Sequence, residues 1–450
     1  MKHTLILTSL LLSFTVIAGA TDVSVTVYND NLALVRDVRD VVYERGRSEI
    51  RFTDVSGQID ATSVHFAADG VSLLEQNFDY DLVSPDKLTY KYIDREIEVI
   101  GENGELSSGT LLTASTGGSS GYIVLRRRDG SLRNMLLKSI TEIRYPELPE
   151  GLITRPTLKW LVDTESAGSK RTEVSYLTGG LSWRADYVLV TSDDDVPADL
   201  SAWVTINNTC GTSYQDAKLK LMAGDVNRVR DYGKQRVKVP TAHFLMETDA
   251  GAGFEEKSFF EYHLYTLQRP TDLLDQQTKQ VSLFPNTSVR TKRIYEYDWR
   301  RRNDRVGVSL EFANTEENGL GIPLPAGRFR IYQRDDDGSQ EFVGEDNIDH
   351  TPKKEDLRVR VGDAFDIVPE RSEKDYRRIT QQVMERDYEV KIRNRKEEAV
   401  TVVVVDHVYG DWTVMQASHE HRKVSARKIE FDLDVAADQE VVLTYTVRYR

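Results

Sequence analysis

Residues 23–34 read VSVTVYNDNLAL, and their alternation sets the fold class. Val23, Val25 and Val27 fall on one face of an extended chain and Ser24 and Thr26 on the other. Asn29-Asp30-Asn31 then interrupts it with turn residues before Leu32 and Leu34 resume. The same period recurs downstream at Ile50 and Phe52, Val64 and Phe66, and Val71 and Leu73. Short half-buried strands separated by Gly, Asn and Asp predict an all-β chain, and the only helix candidates are short.

Upstream of this stretch, Lys2 and His3 precede an apolar run from Leu5 to Ile17, and Ala18-Gly19-Ala20 supplies small residues for a peptidase. That is the pattern of a secretory signal peptide over residues 1–20. The run is short of the ~20 residues that cross a bilayer, and position 21 is Thr, not the Cys of a lipoprotein. The expectation is export to the periplasm or cell exterior, with no transmembrane segment in the mature chain. The 450 residues suggest roughly three domains, each able to bury its own core. Cys210 is the single cysteine, so no intramolecular disulfide forms. It reads as a buried apolar residue before a reactive thiol. A net charge of -14 disfavours nucleic acid as a partner.

Downstream, the strand signals group into modules. Residues 21–81 form an N-terminal β region. Between 82 and 148 five strand signals crowd together, with turns at Asn103-Gly104 and Asp129-Gly130 and a Gly/Ser loop at Gly117 to Gly121. They predict a small SH3-like or Sm-like barrel inserted between larger β units. Pro146-Glu147-Leu148-Pro149-Glu150-Gly151 punctuates the chain like a linker. Beyond it, residues 149–380 read as β-sandwich, with a long loop expected over Arg228 to Lys257. Residues 381–450 carry strands at the spacing of an immunoglobulin-like end domain.

The segment 176–187, YLTGGLSWRADY, is followed by Trp203-Val-Thr-Ile-Asn207-Asn208 and by Gly211, Tyr214, Leu219, Leu221 and Gly224. It resembles the DUF4139 family. Val27-Tyr28-Asn29, Lys279-Gln280-Val281 and Gly344-Glu345-Asp346 agree with it, so the likeness covers most of the chain. That family also contains the mucoidy inhibitor A-like proteins, which carry a long coiled coil where this chain places the small barrel. The resemblance implies an all-β fold and supplies no catalytic residues. Physically, Tyr176, Trp183 and Tyr187 straddle a turn at Gly179-Gly180. They read as core packing first and as a ligand platform second.

Other candidates come from the residues alone. Arg300, Arg301 and Arg302 follow Trp299, close to Tyr295 and Tyr297. The cluster reads as an anionic-ligand surface or as a charged edge strand that blocks strand addition. His419 and His421 share a face on a strand and, with His407 as third ligand, make a candidate metal site; the plainer reading is a solvated, charge-rich loop. Asp193-Asp194-Asp195 and Asp335-Asp336-Asp337-Gly338 read as acidic hairpin turns before calcium sites. Gly344-Glu345-Asp346 with Asp349-His350 is a dense polar cluster, equally a turn near a domain junction. No nucleophile motif appears, no cofactor is implied, and 73 acidic residues are too many for a carboxylate pair to be singled out. The sequence therefore favours a non-catalytic binding protein for an envelope protein or polysaccharide. The alternative is a hydrolase or metal-dependent enzyme acting on an envelope polymer.

Overall fold

A computed structural model describes residues 22–116, 121–149, 151–192, 197–224, 226, 254–260, 262–302 and 304–450. The expected signal peptide, most of the Gly/Ser loop, the Asp193 run and nearly all of the 228–257 loop lie outside the described residues. Its last part, from Phe254, is a strand, Phe254–Phe259.

The chain is all-β, as the alternation predicts, and among the described residues the one α-helix is Pro85–Lys91. The larger sandwich is made of two sheets. One has eight strands, in which Asp22–Tyr28 lies between Ala33–Tyr43 and Tyr214–Ala223. Its pairing with Tyr214–Ala223 is parallel, with Val25 opposite Leu219. The other has five strands, ordered Gln277–Val289, Ala198–Asn208, Leu181–Thr191, Gly327–Arg334 and Gln340–Ile348. Residues from both sides of the Pro146–Gly151 stretch thus share one sheet and one hydrophobic cluster, which contains Val25, Val27, Trp183, Tyr187, Leu219 and Phe329. A three-stranded sheet, Gly46–Thr53, Thr157–Thr164 and Val71–Asp79, extends that core through Trp160.

The compact stretch 82–148 folds on a core of its own around Ile97, Leu111, Ile123 and Leu125. Its five strands are present, in the order Ile140–Arg144, Glu96–Gly101, Leu106–Ser115, Tyr122–Arg126 and Leu132–Leu136. No ladder joins the first of these to the last, so the sheet is open where a closed barrel was expected. The 3-10 turn Leu137–Ser139 carries the chain from one edge strand to the other edge.

The C-terminal sandwich reaches further back than residue 381. Its six-stranded sheet runs Asp356–Asp363, Gly307–Ala313, Lys292–Asp298, Val400–His407, Lys428–Val435 and His421–Ser425. A four-stranded sheet, Ile367–Arg378, Met384–Asn394, Glu440–Tyr449 and Trp412–Ala417, covers it over Tyr297, Val402, Val404, Phe431 and Val447. The two sandwiches meet where Gln340–Ile348 passes Asp356–Asp363. A Cβ at Gly344 would stand 2.1 Å from the Val361 carbonyl oxygen, and Asp346 Oδ2 accepts the Arg360 amide at 2.7 Å. The Gly344–His350 cluster is therefore mostly strand and a seam between sheets, not a turn; its His350 Nδ1 accepts the Ala326 amide. Asp335 to Gly338 form the acidic hairpin turn that their composition suggests.

The aromatic motif is core. Tyr176, Trp183 and Tyr187 are all buried, at 1%, 2% and 0% exposure, so they form no ligand platform. Tyr187 stacks on Phe329 with centroids 4.6 Å apart and donates its hydroxyl to the Pro325 carbonyl at 2.7 Å. Trp183 donates its indole N–H to Met222. Gly180 makes the turn between them: its φ is +80°, and a Cβ there would lie 2.5 Å from Cys210 Cα. Cys210 is buried and unpaired, and burial raises its thiol pKa, as expected of an inert core residue.

Two substitutions check this account. Tyr187→Phe leaves the Pro325 carbonyl without its donor and is expected to cost about 1–3 kcal/mol. Tyr187→Ala, which also leaves a ring-sized cavity, is expected to cost about 3–5 kcal/mol. Urea unfolding midpoints measure both, and an alanine variant as stable as the wild type would show that the ring is not core.

Candidate functional site: an arginine-rimmed cleft

The strand Lys292–Asp298 alternates Tyr295 and Tyr297 into the C-terminal core with Glu296 and Asp298 away from it. Asp298 then turns the chain: its carbonyl accepts the amides of Arg301 and Arg302, and its Oδ1 accepts that of Arg300. The arginine run is thus a turn at the end of an interior strand, flanked by Gly307–Ala313 and Val400–His407, and the edge-strand reading is corrected.

Beneath the turn lies a buried polar network. Asp406 is 1% exposed. Its Oδ1 accepts the Trp299 indole N–H at 2.7 Å and the His407 amide at 2.9 Å, and its Oδ2 accepts the Tyr445 hydroxyl at 2.5 Å. Arg371 stands 3.5 Å from the same carboxylate, its guanidinium 4.5 Å above the Trp299 ring and 4.3 Å from that of Tyr388. Burial works against the Arg371 charge, but Tyr445 and Asp406 outweigh it and raise its pKa above the usual value. Desolvation, then the neighbouring Asp406 carboxylate, raises the Tyr445 pKa well above that of a free tyrosine. Arg371 Nε is left without a hydrogen-bond partner, but the Asp406 carboxylate is satisfied on both oxygens and ties the turn to the core.

Above it opens a cleft of about 410 Å³, lined by Glu296, Asp298, Asp363, Ser309 and the arginines 301, 302, 305 and 360. Acid and base are sorted by depth. The side chains of Asp298 and Asp363 are 8% and 14% exposed, whereas that of Arg301 is 78% exposed. Arg302, Arg305 and Arg360 all converge on Asp363, with Arg360 at 2.6 Å and Arg305 at 3.7 Å. Arg301 sits 3.7 Å from both Glu296 and Asp298. Carboxylates hold the floor and guanidinium groups form the rim, so the cleft presents positive charge on a chain that is acidic as a whole.

The structure therefore brings Trp299, Arg300, Arg301 and His407 together. His407 Nε2 lies 2.9 Å from Asp298 Oδ1. It does not join the other two histidines: His407 stands opposite Lys428 in the sheet and His421 opposite Phe431, three positions along the same strand. Among the described residues no group of three His, Cys, Asp or Glu side chains is placed to hold a metal ion, and the metal-site reading is corrected. His419 is half-buried and His421 is exposed on the edge strand His421–Ser425. Sequence reasoning missed Asp406, Arg371, Asp363 and Arg360, which come to the site from strands distant in the chain.

The class the fold defines is an all-β chain of several sheet modules, two of them sandwiches. The family model described as a domain of unknown function, DUF4139, matches residues 172–450, and the chain belongs to that family. No curated protein matches it.

The buried tyrosines give the structure a defined alkaline limit. Desolvation pushes Tyr297 up to about 12 and raises Tyr187, Tyr214 and Tyr445 well above the ordinary value. Unfolded tyrosines lose their protons near pH 10, while these keep theirs, so above that pH the native state binds more protons. Stability is expected to be unaffected by these groups below about pH 9, then to fall by about 1.4 kcal/mol per pH unit for each protected tyrosine. Urea melts with phenolate absorbance as a second signal test this; phenolate appearing ahead of unfolding for these residues would contradict it.

Proposed function

We propose that this is an exported, non-catalytic protein of the cell envelope whose arginine-rimmed cleft holds an acidic polysaccharide. Export rests on the signal-peptide pattern of residues 1–20. The observation that carries the ligand class is the depth sorting in the cleft: exposed guanidinium groups over buried carboxylates. Arginine forks match carboxylate geometry, and the rim keeps donors in excess of those its own acids consume. The cleft is open to solvent and its side chains are charged or hydroxyl-bearing, which suits a polymer that runs along it. Glu296, Asp298 and Asp363 are each engaged by arginine or histidine, an arrangement for holding a chain more than for donating a proton to it. The hydrolase alternative would instead use the His407–Asp298 pair, the one histidine–carboxylate contact beside the cleft.

Binding of the mature chain to polygalacturonate, with neutral dextran as control, tests the proposal. Retention on the polyuronate that weakens as salt rises is expected, since exposed charges are screened. Removing two rim contacts worth about 0.2–1 kcal/mol each in Arg301→Ala/Arg360→Ala is expected to weaken binding by about two- to thirtyfold, with melting of the variant as the fold control. Equal retention on dextran, or none on either, defeats the reading. Shortening of the polymer during incubation, lost in His407→Ala, would favour the hydrolase.

A further inference from the structure

Trp203 is the one tryptophan of the five whose ring is not tied down. Trp160 donates its indole N–H to Gln76, Trp183 to Met222, Trp299 to Asp406 and Trp412 to Ala426. The indole N–H of Trp203 enters no hydrogen bond among the described residues, and no aromatic ring or cation stacks on it. It lies half-buried on the strand Ala198–Asn208, next to Ala202 and Val204, which point into the core, so its ring is on the outer face of the five-stranded sheet.

That face is built for polar contact around the ring. Asp186 stands directly opposite Trp203 on one side and Ser282 on the other. Asp186 is 3% exposed; its Oδ2 accepts from Thr205 at 2.6 Å and from Arg184 at 3.1 Å. Its Oδ1 accepts no hydrogen bond, and the nearest guanidinium, that of Arg330, remains 3.7 Å away. Gln280 continues the row through Thr205 at 3.0 Å. A buried carboxylate oxygen without a hydrogen bond, beside an indole donor that also lacks one, is costly unless a hydroxyl-bearing group completes both.

We propose that this face is a sugar-binding site, in which a pyranose ring of a glycan stacks its C–H face on Trp203. The indole N–H and Gln280 meet the ring hydroxyls, a hydroxyl donates to Asp186 Oδ1 once the Arg330 side chain swings outward, and Arg184 and Arg330 flank the ring edge. A planar amphipathic ring with a polar handle supplies this contact at little conformational cost. The site shares no residue with the arginine cleft. It rests on the glycan reading above only for the class of ligand.

The test uses the full mature chain labelled with 15N, whose indole region holds one N–H signal per tryptophan. Trp203→Phe removes one signal and so assigns it, without deleting the ring that supports the fold. Chitotetraose, maltohexaose and tetragalacturonate are then titrated into the wild type. A saturable shift of the Trp203 signal with at least one of them, at least threefold weaker in Gln280→Ala and unchanged in Arg301→Ala/Arg360→Ala, is the expected result. No shift of that signal with any of the three into the tens of millimolar, or shifts confined to other tryptophans, overturns the proposal. If polygalacturonate fails to bind the cleft while the Trp203 signal moves, the cleft reading falls and this one stands.

Discussion

The inner face of the strand Leu181–Thr191 is the constraint on which the larger sandwich is built. Leu181, Trp183, Ala185, Tyr187 and Leu189 are all buried, each contributing the transfer free energy of its side chain, about 1.5–3 kcal/mol for the large ones. Two of them carry polar groups that must be satisfied in that interior. The Tyr187 hydroxyl reaches the Pro325 carbonyl, two residues ahead of Gly327–Arg334, which then runs parallel with Ala185 opposite Gly327. The Trp183 N–H reaches Met222, at the end of the strand that pairs with the first strand of the fold. One strand's buried donors therefore fix the register of a neighbour in its own sheet and the position of the sheet that covers it.

The second sandwich solves a different problem, that of placing many charges close together without unfolding. Asp406 is shielded almost completely, and it persists because an indole, a phenol, a backbone amide and a guanidinium all point at it. The rigid network below leaves the next layer free to expose charge. Asp363 is held by three arginines at once, which overcompensate it, so the surface above reads as positive although the floor is acidic. An acidic chain that repels polyanions in bulk can in this way still offer one cationic face.

The fold was legible in the sequence wherever alternation was clean. Val23-Val25-Val27 is a strand with the predicted burial, and Gly179-Gly180 is the turn between the two aromatic strands. The partners of those strands were not legible. Parallel pairing of Asp22–Tyr28 with Tyr214–Ala223 joins segments far apart in the chain, and nothing local to either records it. The same limit explains the open sheet of residues 82–148: strand count and turns were readable, but whether the edges pair depends on where the Leu137–Ser139 turn delivers the chain. It also explains why the Pro146–Gly151 stretch looked like a boundary between cores, although strands on either side of it build a common one.

The candidate sites show the limit more sharply. His407, Trp299 and Arg301 could each be picked out by residue type, but their meeting depends on Asp298 standing beside Val405 in a parallel pair. The aromatic motif failed as a surface for a reason of parity. Trp183 and Tyr187 have the same parity, and so does Ala185, which leaves Arg184 and Asp186 to the other face. Trp203 is oriented by the same reasoning: it shares its parity with Asp199, Ser201, Thr205 and Asn207, while Leu200, Ala202, Val204 and Ile206 take the inner face. Its register opposite Asp186 agrees with that direction.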